Sequence, residues 1–225
     1  MSKTDHIGSY FDQWKEDLSR AEALLTDPTY YLEAILIFSC HIGGLGSFRF
    51  PTLADNEAYK RVVLEYSGME DFYKQIDLLF FLQWPRSDYR NHGLYRNLKN
   101  HSEISNAIKA TYGDEEEIKN GTRYVAPSAF VGVAEAEKIN GFDKQNLEQH
   151  LPLFSNVELL YRYVRCEAVH NVHFPFVNRV HVVNDGIRYE DNHAINGPKL
   201  HETVLAVLHN LKDACMQAGK WPSEL

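Results

Sequence analysis

The chain is short of paired cysteines, of long apolar runs and of positive charge, and each shortage removes a class of protein. Three cysteines, Cys40, Cys166 and Cys215, are scattered through 225 residues. No two of them are separated by the two-residue gap of a thiolate zinc site, and the usage fits a reducing compartment. The strongest apolar run, Ala34 to Phe38, falls far below the roughly 20 residues of a membrane-spanning helix. With a polar opening from Ser2 to Asp5, neither a signal peptide nor a membrane helix is expected, and the expected location is cytoplasmic. Lys and Arg number 23 against 31 Asp and Glu, a formal net charge of −8. A protein that coats nucleic acid must neutralise many phosphates, so any nucleic-acid contact here has to be local. A phosphate-binding loop is also missing: Gly43, Gly44, Gly46 and Ser47 follow no strand and precede no GKS or GKT, so they read as small residues for close helix packing.

What is present is helical periodicity. The 44% hydrophobic content suffices for one core. Phe11, Trp14, Leu18, Ala21 and Leu25 follow three-then-four spacing and predict a first amphipathic helix. Asp27 as N-cap and Pro28 as first residue predict a second, deeply buried one carrying Tyr31, Ile35, Phe38, Ile42 and Leu45. After Pro51, helices are expected over Glu57 to Tyr66 and over Met69 to Gln83, the latter with Phe72, Ile76, Leu79 and Phe80 inward. Residues 101–150 are less legible, with a short helix near Ile104 to Ala110, an acidic stretch Asp114 to Glu117 and a small-residue segment around Ala126 to Ala136. Asn156 is expected to cap a helix whose apolar face is Val157, Leu160, Tyr161, Val164 and Ala168. Val180, Val182, Asn184-Asp185-Gly186, Ile187 and Tyr189 predict a β-hairpin, because Asp-Gly supplies the positive φ angles of a tight turn. Pro198 opens a last helix striped with Leu200, Val204, Val207, Leu208, Leu211 and Cys215, and Gly219 ends it. The expectation is a mainly α up-and-down bundle with a small hairpin between the last two helices. It forms one domain over residues 1–225, with a less readable stretch at about 84–150.

Two places carry candidate chemistry. Between Trp84 and His101 the cations Arg86, Arg90, Arg96 and Lys99 are interleaved with Trp84, Tyr89 and Tyr95. Cations attract phosphate and rings stack on bases, so this is a candidate RNA-contacting loop, or else a solvated one. The second is Arg165-Cys166-Glu167-Ala168-Val169-His170-Asn171, where an Arg and a His stand in the pairing that metal-independent RNA cleavage can use. Imidazole, with an ordinary pKa near neutrality, can take the proton from a ribose 2′-hydroxyl or return one to the leaving oxygen. Guanidinium can donate paired hydrogen bonds to phosphate and stabilise charge as the hydroxyl attacks phosphorus, leaving a cyclic phosphate and a 5′-hydroxyl. The spacing itself is common here, since Arg86 with His92, Arg96 with His101 and Arg188 with His193 are similar. Arg165 and His170 differ in sitting late in an amphipathic helix. On an unbroken α-helix they would lie about 140° apart. Their convergence is therefore expected to need either a helix end near His170 or two copies meeting across a dimer axis.

The run Leu160-Tyr161-Arg162-Tyr163-Val164-Arg165-Cys166-Glu167-Ala168-Val169-His170-Asn171 resembles the motif helix of HEPN (higher eukaryotes and prokaryotes nucleotide-binding) domain proteins. Tyr31 to Phe38 and Ser47-Phe48-Arg49-Phe50 resemble the corresponding early helix of bacterial members. The middle of the chain, roughly 84–150, is not covered. The resemblance implies an up-and-down helical bundle that homodimerises. In many members it also implies a metal-independent endoribonuclease of toxin-antitoxin, phage-defence or RNA-processing systems, with no cofactor, an RNA substrate and in some cases an antitoxin or other protein partner. Carried over by position, Arg165 is the phosphate-binding Arg and His170 the catalytic His. The residue after the motif Arg is commonly polar and here is Cys166, so Glu167 or Asn171 would orient His170 in its stead. Other readings stay open beside it. Arg165 can pair with Glu158 or a partner chain while His170 favours the helix carboxyl end. His170, His173 and His181 or His193 can hold a metal, Cys166 can be a nucleophile with His170, or the module can be catalytically silent and bind a partner protein or nucleotide.

Overall fold

The computed structural model describes residues 2–86, 93–171, 180–183, 186–189 and 195–225. Helices dominate it, and they fall into two units, one formed by residues 1–70 and 160–225 and the other by residues 71–159.

The first helix, α1 (Lys3–Glu22), starts where the Ser2 hydroxyl accepts from the Asp5 amide and the Asp5 carboxylate accepts from the Ser2 amide. This reciprocal capping satisfies two amides that have no partner within the helix. Ile7, Phe11, Leu18 and Ala21 form its buried stripe. The next helix begins a turn later than the Asp27-Pro28 pair suggests. Asp27 caps a 3-10 turn, Pro28–Tyr30, and α2 (Tyr31–Arg49) follows it. Tyr31, Ile35, Phe38, Ile42 and Leu45 are all buried in α2, as the spacing predicts. Among the described residues α2 is the one helix long and apolar enough to cross a membrane by length and composition, with 19 residues at a mean hydropathy of 1.3. Within its unit it packs against α1, α3 (Asp55–Tyr66) and the last helix, α11 (Gly197–Ala218).

The α2 glycines are packing residues. A methyl group on Gly46 would come within 2.8 Å of the Ala58 carbonyl oxygen of α3, and one on Gly44 within 2.8 Å of the Trp14 ring of α1. The α11 stripe is buried from Leu200 to Cys215, and the helix stops at Gly219, which takes the left-handed conformation at φ 62°. The hairpin joins β3 (Val180–Val183) to β4 (Gly186–Tyr189) in antiparallel register, with Val182 opposite Ile187. Its turn residues Asn184 and Asp185 lie outside the described residues.

The second unit departs from the expected continuous helix over 69–83. That stretch breaks into α4 (Glu70–Lys74), a short strand β1 (Ile76–Asp77) and α5 (Leu78–Gln83). Asp77 causes the break. Its carboxylate accepts from the Phe80 amide at the start of α5 and from the Arg123 guanidinium, and both side chains are buried. Arg123 precedes β2 (Tyr124–Val125), which pairs antiparallel with β1. A buried carboxylate is costly unless its charge is matched, and this ion pair matches it. The less legible stretch becomes α6 (His101–Tyr112), α7 (Glu115–Asn120), α8 (Pro127–Ala136) and α9 (Lys144–His150). The acidic run proves to be a capping device, because the Asp114 carboxylate accepts from the amides of Glu116 and Glu117 at the start of α7.

His101 stacks on Phe81 with ring centroids 4.6 Å apart, and its Nε2 donates to the Phe81 carbonyl at 2.8 Å. Burial outweighs that hydrogen bond and the nearby Glu103, and holds the imidazole below its ordinary pKa. Proton uptake is thus easier in the unfolded chain. The stability this residue contributes is complete above about pH 6.5 and is lost as pH falls from there through the lowered folded value. Wild type should therefore lose more thermal stability between pH 7.5 and pH 5 than His101→Gln, and equal losses would contradict the assignment. The helix contact makes a second prediction. Gly46→Ala should destabilise the protein by about 1–3 kcal/mol through overpacking. Gly8→Ala in α1, where an added methyl meets nothing within 4 Å, should stabilise it by roughly 0.5–1 kcal/mol. Urea denaturation of both variants checks the contrast, and two shifts of the same sign would refute it.

Candidate functional site

The helix that carries the motif is not the regular α-helix its spacing suggests. Its first turn, α10 (Asn156–Leu159), is followed by π-helical winding over Leu160–Arg165 and again over Glu167–Asn171, with Cys166 between them. The cap also differs, since the Ser155 hydroxyl accepts from the Glu158 amide while the Asn156 side chain donates to the Phe72 carbonyl. Val157, Leu160, Val164 and Ala168 are buried as expected, and Tyr163 joins them.

The wider winding changes the geometry of the motif. In an α-helix five residues overshoot a full turn, which is why Arg165 and His170 were expected to diverge. Where the backbone bonds run from residue i to i+5, five residues make about one turn and side chains at that spacing stack. Arg165 Nη1 accordingly lies 3.2 Å from His170 Nε2. The guanidinium can only donate, so Nε2 accepts and the ring proton sits on Nδ1. The contact forms within one chain, so no second copy is needed to bring the two together.

Two further side chains complete the cluster. Asp55, the first residue of α3, accepts a hydrogen bond from the Tyr161 hydroxyl at 2.9 Å and forms an ion pair with Arg165 Nη2 at 3.1 Å, both through Oδ2. Within its own unit the carboxylate paired with Arg165 is therefore Asp55. The Arg165 guanidinium also lies over the Tyr161 ring, 5.3 Å from its centroid, and Tyr161 meets Tyr59 edge-on. Burial works against the charge on Arg165, but Cys166, Asp55 and Tyr161 outweigh it and hold the group firmly protonated. Burial and the hydrogen bond to Asp55 push the Tyr161 phenol far above its ordinary range, so it acts as a neutral O–H donor. The Cys166 thiol is half-buried, with Sγ 3.8 Å from Arg165 Nη1.

Glu167 and Asn171 bound the second π stretch. Arg86 ends a 3-10 turn, Trp84–Arg86, and Arg90 lies outside the described residues, as do Tyr89 and the metal-site candidates His173 and His193. Arg96 is exposed, and Lys99 is paired with Asp143 at 2.8 Å. Trp84 and Tyr95 are buried and stacked on one another at 4.9 Å, so these two of the three rings expected to stack on bases are core residues of the second unit. His101 is likewise turned toward Phe81 and forms no pair with Arg96 like the one at Arg165. No group of three or more His, Cys, Asp or Glu among the described residues is arranged to hold a metal.

Asp55 and the polar role of Tyr161 were missed. Tyr161 precedes Arg165 by four residues, a spacing at which a ring and a cation can meet on a helix. Asp55 lies over a hundred residues away in the chain, and no local signal joins it to the motif. Compared with known protein families, curated proteins and solved structures, the chain matches none.

Proposed function

We propose that the chain is a metal-independent endoribonuclease of HEPN type, with Arg165 as the phosphate-binding residue and His170 as the proton-transfer residue. The 3.2 Å contact between Arg165 Nη1 and His170 Nε2 supports this reading most directly. It puts a fixed positive charge beside an unprotonated imidazole nitrogen, whose electron pair accepts from that cation. In the reaction, His170 Nε2 turns to a ribose 2′-hydroxyl and takes its proton as the oxygen attacks phosphorus. The guanidinium stabilises the charge gathering on the phosphate oxygens. The P–O5′ bond then breaks, and the proton held by His170 passes to the leaving 5′-oxygen. The products are a 2′,3′-cyclic phosphate and a 5′-hydroxyl, and no cofactor takes part.

A cytoplasmic location, a homodimer and a toxin or phage-defence role with an antitoxin partner belong to the same proposal, through the family resemblance of the motif. Dimerisation would double this site; the Arg–His contact does not depend on it. A second reading, a catalytically silent module that binds a partner protein or nucleotide, is favoured by one observation. Asp55 already occupies the guanidinium.

Incubating the purified protein with mixed RNA in EDTA, beside Arg165→Ala and His170→Ala, separates the two. The ribonuclease reading predicts cyclic-phosphate ends from wild type and a loss of ~100-fold or more in His170→Ala. Wild type cleaving no faster than either variant would leave the silent module.

A further inference from the structure

The acceptor now seated on Arg165 marks where a substrate oxygen would go. Asp55 Oδ2 accepts a hydrogen bond from the Tyr161 hydroxyl at 2.9 Å and is ion-paired with Arg165 Nη2 at 3.1 Å. One anionic oxygen held between a guanidinium and a hydroxyl is also the environment that a phosphodiester oxygen seeks. The donors are held and the acceptor is loose. The Arg165 side chain is 15% exposed, with Nη1 at His170 and its guanidinium carbon 5.3 Å from the Tyr161 ring centroid, whereas the Asp55 side chain is 48% exposed at the very start of α3. Asp55 can leave by rotating its own side chain toward solvent, without movement of the helix that bears it. Once it leaves, the Tyr161 hydroxyl and Arg165 Nη2 are open to the vacated position, while the contact to His170 is made by Nη1.

We propose that Asp55 Oδ2 fills an oxyanion seat for an RNA phosphodiester, that Tyr161 is the second donor of that seat, and that Asp55 is an internal competitor which must swing out before RNA binds. The proposal rests on the reading of Arg165 as the phosphate-binding residue of the ribonuclease. In this arrangement Tyr161 positions the phosphate, and Asp55 sets how much of the protein is open to substrate.

The test uses the full chain in EDTA and a fluorescent 2′-O-methyl oligoribonucleotide, which carries the phosphodiester but cannot be cleaved by 2′-hydroxyl attack. A competitor that fills the seat nine-tenths of the time weakens apparent affinity about tenfold. Asp55→Ala and Asp55→Ser should therefore each bind about tenfold more tightly than wild type. Glu57→Gln controls for charge alone, since it removes an exposed carboxylate from the same turn of α3, and it should change affinity by no more than about twofold. Adding Tyr161→Phe to Asp55→Ala should remove most of the gain. Affinity in both Asp55 variants no higher than in Glu57→Gln, including binding by none of them, overturns the proposal. Tighter binding in the Asp55 variants without RNA cleavage by wild type keeps the seat and rejects the ribonuclease. Cleavage that depends on His170 together with unchanged affinity in the Asp55 variants does the opposite.

Discussion

The site depends on a helix whose backbone bonds close one residue later than those of an α-helix. Regular α winding would carry His170 well past Arg165, and the two side chains would face different surroundings. The π-helical stretches on either side of Cys166 bring the imidazole back over the guanidinium. Such winding is rare and recurs at functional sites, since its backbone geometry is poorer than that of an α-helix and something must hold it. Here the holding is done by apolar packing, with Leu160, Val164 and Ala168 buried in the unit that contains α2 and α3. The same packing sets α3 beside the motif, which delivers Asp55 to Arg165.

Electrostatically the cluster runs against the grain of the chain. In a protein of net charge −8, a half-buried guanidinium is matched by one carboxylate and one aromatic face. Pairing of this kind lowers the cost of a desolvated cation, and it also occupies the donors that a phosphate would use. On the proposed reading, phosphate binding would compete with this pairing for the same guanidinium of Arg165.

Much of the helical framework was legible because burial repeats with helical period. The stripe from Leu200 to Cys215 and the buried face of α2 needed only spacing, and Gly219 needed only its freedom at positive φ. The break at Ile76 and Asp77 was not legible. Phe72, Ile76, Leu79 and Phe80 satisfy a continuous helix equally well, and the residue that decides the matter, Arg123, comes 46 positions after Asp77. At the motif the apolar residues Leu160, Val164 and Ala168 are four apart, which both α and wider winding can bury on one side. The sequence therefore pointed to Arg165 and His170 but not to the route by which they meet, and it held no trace of Asp55.

The contact between Arg165 and His170 within one chain is the central claim, and the imidazole tautomer reports on it most directly. Nitrogen-15 NMR of His170 at a pH where the ring is neutral should find the proton on Nδ1, with an Nε2 resonance that moves when Arg165 is replaced by Ala. A ring protonated on Nε2, or an Nε2 resonance indifferent to Arg165→Ala, would contradict the account.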